Sequence, residues 1–166
     1  MRRQTAKEKK DRFTELGGKF EDGKWIAWKF VTSEFTSPNR TAIALKYPVG
    51  RIITDHRKTN SNPNDHCGAG INLHAKYPNI KTLYINRKLV LLECRIEEKD
   101  ILCIPHGAYP WSIWGNDYIG GPKFRVKKVK VIAAYRYDKK ESNHLETIEL
   151  ATGYERIPPE KKSKGS

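Results

Sequence analysis

Acidic residues are in short supply in this 166-residue chain: 19 Asp and Glu face 32 Lys and Arg, a formal charge of +13. A deficit of that size leaves much of the basic charge unneutralised. It favours a polyanionic partner, nucleic acid or an acidic protein surface, although solvated surface charge uses the same residues. Long apolar runs are missing as well. Nothing approaches the roughly 18 residues that a membrane-spanning helix needs, so no membrane partner is expected. The charged opening MRRQTAKEKKDRF has no apolar stretch behind it and does not read as a secretory signal.

Cysteine is sparse. Cys67, Cys94 and Cys103 cannot all pair with one another, which argues against a disulfide-built secreted domain and for a reducing, cytoplasmic compartment. Cys94 and Cys103 sit in the apolar runs LVLLECRI and DILCIP and are expected as buried small hydrophobes. Metal-ligand spacing is absent. His66, Cys67 and His74, with Cys94, Cys103 or His106 as a fourth ligand, do not arrive as the two short-spaced pairs of structural zinc. The Gly68 and Gly70 of DHCGAGINLH (65–74) lack the following helix that a phosphate loop requires and read as a turn before a strand. Neighbouring His66 and Cys67 do not by sequence adjacency make a nucleophile–base pair. No catalytic residue, cofactor or metal is therefore expected.

Aromatic residues are plentiful, with four Trp, eight Tyr and five Phe. They argue against wholesale disorder, and the length suits one domain. Residues 1–18 read as a basic N-terminal helix or arm. Gly17 and Gly18 end it, and Phe13 and Leu16 are its residues to bury. Residues 19–157 read as a single globular domain, and 158–166, PPEKKSKGS, as a flexible basic tail. The middle is mainly β: strands are expected at 25–31, 41–47, 50–55, 70–74, 82–86, 88–96, 100–105 and 124–137, with 144–154 ambiguous. The expected class is α+β, mostly β, with an irregular antiparallel or mixed sheet and a short N-terminal helix.

Residues 123–140 carry the densest charge. Lys123, Arg125, Lys127, Lys128, Lys130, Arg136, Lys139 and Lys140 face a single acid, Asp138. Phe124 and Val126 alternate in one phase, Val129 and Val131 in the other, so a β-bulge across Lys127-Lys128 would realign the apolar side. This strand is the candidate nucleic-acid-binding element. The loop 106–122, HGAYPWSIWGNDYIGGP, places Tyr109, Trp111, Trp114 and Tyr118 close by in sequence. These rings either form a small core or stack on bases; Trp111 and Trp114 are the candidate stacking groups. In INLH, Ile71 and Leu73 face the core, and Asn72 and His74 share the other side. Lys29, Asn72, His74 and Tyr109 are the candidate cleft residues. Glu93 interrupts LVLLECRI and shares a face with Arg95.

The ordered segments WKFV, YPVGRII, CGAGI, LVLLECRI, DILCIP and FRVKKVKVI resemble a small phage and prokaryotic domain also found in phage rapid-lysis B-type proteins. The shared pattern is C-x-x-G-[ILF]-H, a hydrophobic strand, an acidic turn, [ILV]-P and a basic strand [KR]-x-R-V, and the likeness spans residues 25–135. Asn72 stands where such domains carry His. The resemblance implies a phage- or virus-like accessory protein. The strand order is also similar to ADP-ribosyltransferase-like folds, which would imply Lys29 gripping a nucleotide and a late acid from Glu146, Glu149 or Glu155. The leading expectation is an intracellular binding protein for nucleic acid. The alternatives are a nucleotide-binding transferase and a protein-interaction module or inhibitor docking on an acidic partner.

Overall fold

The computed structural model describes residues 3–32, 34–36, 45–64, 69–76, 90–106, 123–137 and 154–157. They form one α-helix, α1 (Ala6–Glu15), a 3-10 turn at Glu98–Asp100, and nine strands: β1 (Lys19–Glu21), β2 (Lys24–Val31), β3 (Ile52–Thr54), β4 (Ile71–His74), β5 (Val90–Ile96), β6 (Ile101–Cys103), β7 (Lys123–Val126), β8 (Lys128–Tyr137) and β9 (Tyr154–Ile157). The protein is mostly β with an N-terminal helix, and every strand pairing is antiparallel. Among the described residues no helix is long and apolar enough to cross a membrane.

Local chemistry sets both ends of α1. The Thr5 hydroxyl accepts from the Glu8 amide, and the Glu8 carboxylate accepts from the Thr5 amide, a reciprocal capping box. At the other end Gly17 takes φ +87°; its amide donates to Thr14 and that of Gly18 to Phe13. This left-handed turn closes the last carbonyls and needs glycine. Phe13 and Leu16 are fully buried in the main core. The Phe13 ring lies 4.4 Å from Trp25 and 5.2 Å from Phe124, centroid to centroid, so helix and sheet share one core. Gln4 adds a two-point bond to the backbone of Ile104, donating to its carbonyl and accepting from its amide, each at 2.8 Å.

β1 and β2 form a hairpin through Asp22-Gly23, both at positive φ, the turn whose twist suits adjoining antiparallel strands. β1 is absent from the strands expected above, because three residues with one apolar member carry little periodic signal. β9 is likewise new. The sheet order is β3-β8-β5-β2-β4-β7-β6, with β1 beside β2 and β9 beside β8. β7 and β8 lie near opposite ends of that order, yet Lys127 alone separates them in the chain. The sheet must therefore curl round on itself, and the run 123–137 is one bent strand serving both sides.

The expected phase shift is present. Lys127 stands outside both strands, and Phe124, Val126, Val129 and Val131 all enter the main core. Its amide donates to Asp100, and its carbonyl accepts from Asp55, so the bend is held from two sides. A second irregularity lies opposite Glu93 and Cys94, which pair with Ala133 and Val131 and leave Ile132 as the extra residue. It moves the inward phase on to Ala134. Of the expected strand 41–47, residues 41–44 lie outside the described set, and Lys46 bridges Thr36. The expected strand 82–86 lies outside it altogether.

Candidate functional site

The bent strand sorts its basic residues onto different faces. Directly opposed residues in an antiparallel pair send their side chains to the same side. Lys123 opposes His74, Lys128 opposes Thr54 and Lys130 opposes Ile52, all on the face away from the main core. Lys123, Lys127 and Lys130 are exposed, and Lys128 is half-buried. None of these four lysines makes an ion pair among the described residues. Ile52, 62 % exposed, is the one large hydrophobic side chain laid open among the described residues. Arg136 is exposed too, but it opposes the core residue Val90 and so leaves the other face.

Arg125 corrects the sequence reading. It is fully buried, not presented to a ligand. Its Nε donates to the Asn60 carbonyl at 2.9 Å, and its Nη2 donates to the Asn62 carbonyl at 2.7 Å and reaches the Cys103 sulfur at 3.0 Å. The guanidinium fork suits such multi-point bonding to carbonyls. The residue ties the loop before β4 to β6 and β7. Its presence in a basic run made it look like its exposed neighbours. What buries it is a loop more than sixty residues earlier in the chain.

Of the candidate cleft residues, the fold gathers Lys29, Asn72 and His74, but not as an open cleft. Lys29 alternates with Ala27 and Val31, so it points to the core side and is 8 % exposed. Its Nζ donates to the Asn72 carbonyl at 2.9 Å and lies 5.3 Å from the centroid of the Tyr47 ring. Burial, and the nearby Lys123 charge, lower its pKa to about 8. His74 is 4 % exposed, pairs across the sheet with Trp28, and sets its ring edge-on to Phe30 at 5.9 Å. Ile71 and Leu73 do enter the core. Asn72 is half-buried.

Tyr109, Trp111, Trp114, Lys139 and Lys140 lie outside the described residues, as do His66, Cys67, Glu146 and Glu149. Glu155, on β9, opposes Arg136.

Sequence reasoning missed two polar arrangements. Glu93 and Arg95 do share a face, as alternation requires, and their ion pair is 2.9 Å. The structure adds the Tyr135 hydroxyl, donating to the second Glu93 oxygen at 3.0 Å, and Glu21, 3.2 Å from Arg95. Asp55, 1 % exposed, takes three bonds from the Arg57 side chain between 2.6 and 3.2 Å. Those bonds hold its carboxyl below the usual range against the opposing effect of burial. The loop HRKTNSNPND gave no sign that Arg57 turns back onto Asp55. Tyr47 is buried, which pushes its phenol pKa upward. Comparison with family models, curated proteins and solved structures finds no match.

Proposed function

We propose that this is a basic binding protein that engages nucleic acid through its phosphates, a phage- or virus-like accessory factor in keeping with its motif order. The observation that carries the reading is the set Lys123, Lys127, Lys128 and Lys130 along one bent strand. They have no ion pair among the described residues, in a chain of formal charge +13. Lysines so arrayed on one strand are suited to tracking a phosphate backbone, since they neutralise charge without reading bases. Arg125 takes no part, because its guanidinium is used inside the fold. Trp111 and Trp114 remain the proposed stacking groups.

Titration of labelled single- and double-stranded DNA and RNA across a salt series tests this. Each neutralised phosphate releases counterions, so log affinity falls linearly with log salt. Absent or salt-independent binding would overturn the proposal. Capture of an acidic protein from nuclease-treated lysate, with no nucleic-acid affinity, would replace it with a protein partner.

A further inference from the structure

β2 and β4 meet at a single cross-strand pair, Trp28 with His74. One residue beyond it, a side chain takes over from the backbone ladder: the Lys29 ammonium bonds the Asn72 carbonyl. An ammonium carries three N–H donors. Among the described residues Lys29 makes that one hydrogen bond and no ion pair. Beside it, the Tyr47 side chain is 3 % exposed, and its hydroxyl makes no hydrogen bond among the described residues.

Buried polar groups are nearly always satisfied, and each exception calls for a ligand, an ion or a water. Here two neighbouring groups have donors to spare, so what they lack is an acceptor. Charge narrows the choice. Lys29 is buried 92 %, by difference from its 8 % exposure, and the Lys123 charge acts on it from the same side of the balance. Of the other charged or titratable groups that act on Lys29 and Tyr47, Cys94 supplies no compensating anion near neutral pH, since burial pushes its thiol up to about 12, and the Asp55 carboxylate is already paired with Arg57. A water would satisfy hydrogen bonds but leave the buried charge uncompensated.

We propose that the seam between β2 and β4 is a binding site for a small oxyanion, a carboxylate or a phosphate, held by the Lys29 ammonium and the Tyr47 hydroxyl. The Asn72 carbonyl takes one of the three ammonium donors and leaves the other two for the anion. The site is separate from the outward-facing Lys127, Lys128 and Lys130. Lys123 strengthens the potential without reaching in.

The test is NMR observation of the lysine side-chain methylene signals in the full chain, titrated with inorganic phosphate and with acetate against sodium chloride at equal ionic strength. A saturable shift of the Lys29 signal, with its titration midpoint moved upward, is the expected result. The groups facing Lys29 in that titration are Tyr47, Cys94 and Lys123, with the paired Asp55 and Arg57 acting on Tyr47. Comparison of the phosphate and acetate arms assigns the class of anion. Tyr47→Phe should weaken the response several-fold, and Lys29→Met should abolish the anion-dependent rise in melting temperature. The paired Lys128→Gln and Lys130→Gln variant should keep it, which separates this site from the nucleic-acid reading. A Lys29 signal that does not move, or non-saturable shifts shared by all lysines, would overturn the proposal. So would an undiminished phosphate response in Lys29→Met.

Discussion

The Arg125 Nη2 lies 3.0 Å from the Cys103 sulfur and 2.7 Å from the Asn62 carbonyl oxygen, so one buried side chain joins β7, β6 and the loop before β4. Arg125→Ala therefore leaves carbonyls without donors as well as a cavity. It should destabilise the fold by about 2–4 kcal/mol. Lys127→Gln and Lys130→Gln, at exposed positions of the same strand run, should stay within about 0.5 kcal/mol of the parent. Urea unfolding of the three variants checks the contrast. Equal stability of all three would show that Arg125 is no staple.

Gly18 closes the helix against a ring. A Cβ added there would sit 2.4 Å from the Phe13 ring carbons, and Phe13 is itself held among Phe20, Trp25 and Phe124. Gly18→Ala should cost about 1–3 kcal/mol through overpacking. Gly23→Ala meets no neighbouring atom and should lose only the preference for positive φ, on the order of 1 kcal/mol. Thermal unfolding of the pair separates steric from conformational cost.

Lys29 gives the protein an unusual alkaline response. Its folded pKa is lowered to about 8, whereas an unfolded lysine titrates near ~10.4. Between those values the unfolded chain holds more protons, so this group's contribution to stability rises with pH, by at most about 1.4 kcal/mol per pH unit. Cys94 acts oppositely. With its thiol pushed up to about 12, the unfolded chain loses that proton first, and stability falls with pH above the ordinary thiol range. Subtracting the Lys29→Met curve from the parent curve isolates the lysine. The difference should climb in favour of the parent from pH 8 toward 10, and a flat difference would contradict the assignment.

The outward lysines should set the salt dependence of nucleic-acid binding. Each phosphate left unneutralised by Lys128→Gln or Lys130→Gln should reduce the slope of log affinity against log salt by about 1. Arg136→Gln, on the opposite face, should leave that slope nearer the parent value. Binding isotherms at several salt concentrations decide it.

Tyr135 tests the polar group of Glu93 and Arg95, on the same face as Lys130. Its hydroxyl donates to the Glu93 carboxylate, whose other partner among the described residues is Arg95. Tyr135→Phe should cost about 1 kcal/mol, the ordinary worth of a hydrogen bond, in chemical denaturation.

Much of the architecture was legible because it rests on local rules. Alternation marked Ile71 and Leu73 as core, and it located the break at Lys127-Lys128, since an apolar side chain that changes phase must be realigned or exposed. Gly17-Gly18 ended the helix because a left-handed residue was required there. Glu93 and Arg95 shared a face because residues two apart on a strand must. The fates of Lys29, Arg125 and Tyr47 followed no such rule. Charge type says that a side chain prefers water, but its burial depends on what the rest of the chain lays over it: the loop carrying Asn60 and Asn62 over Arg125, and Tyr47 with the Asn72 backbone around Lys29. Those interactions join segments tens of residues apart. By itself the sequence determined which residues alternate, turn and carry charge. The tertiary structure decided which of those charges face solvent, because only the curled sheet brings the covering segments to them.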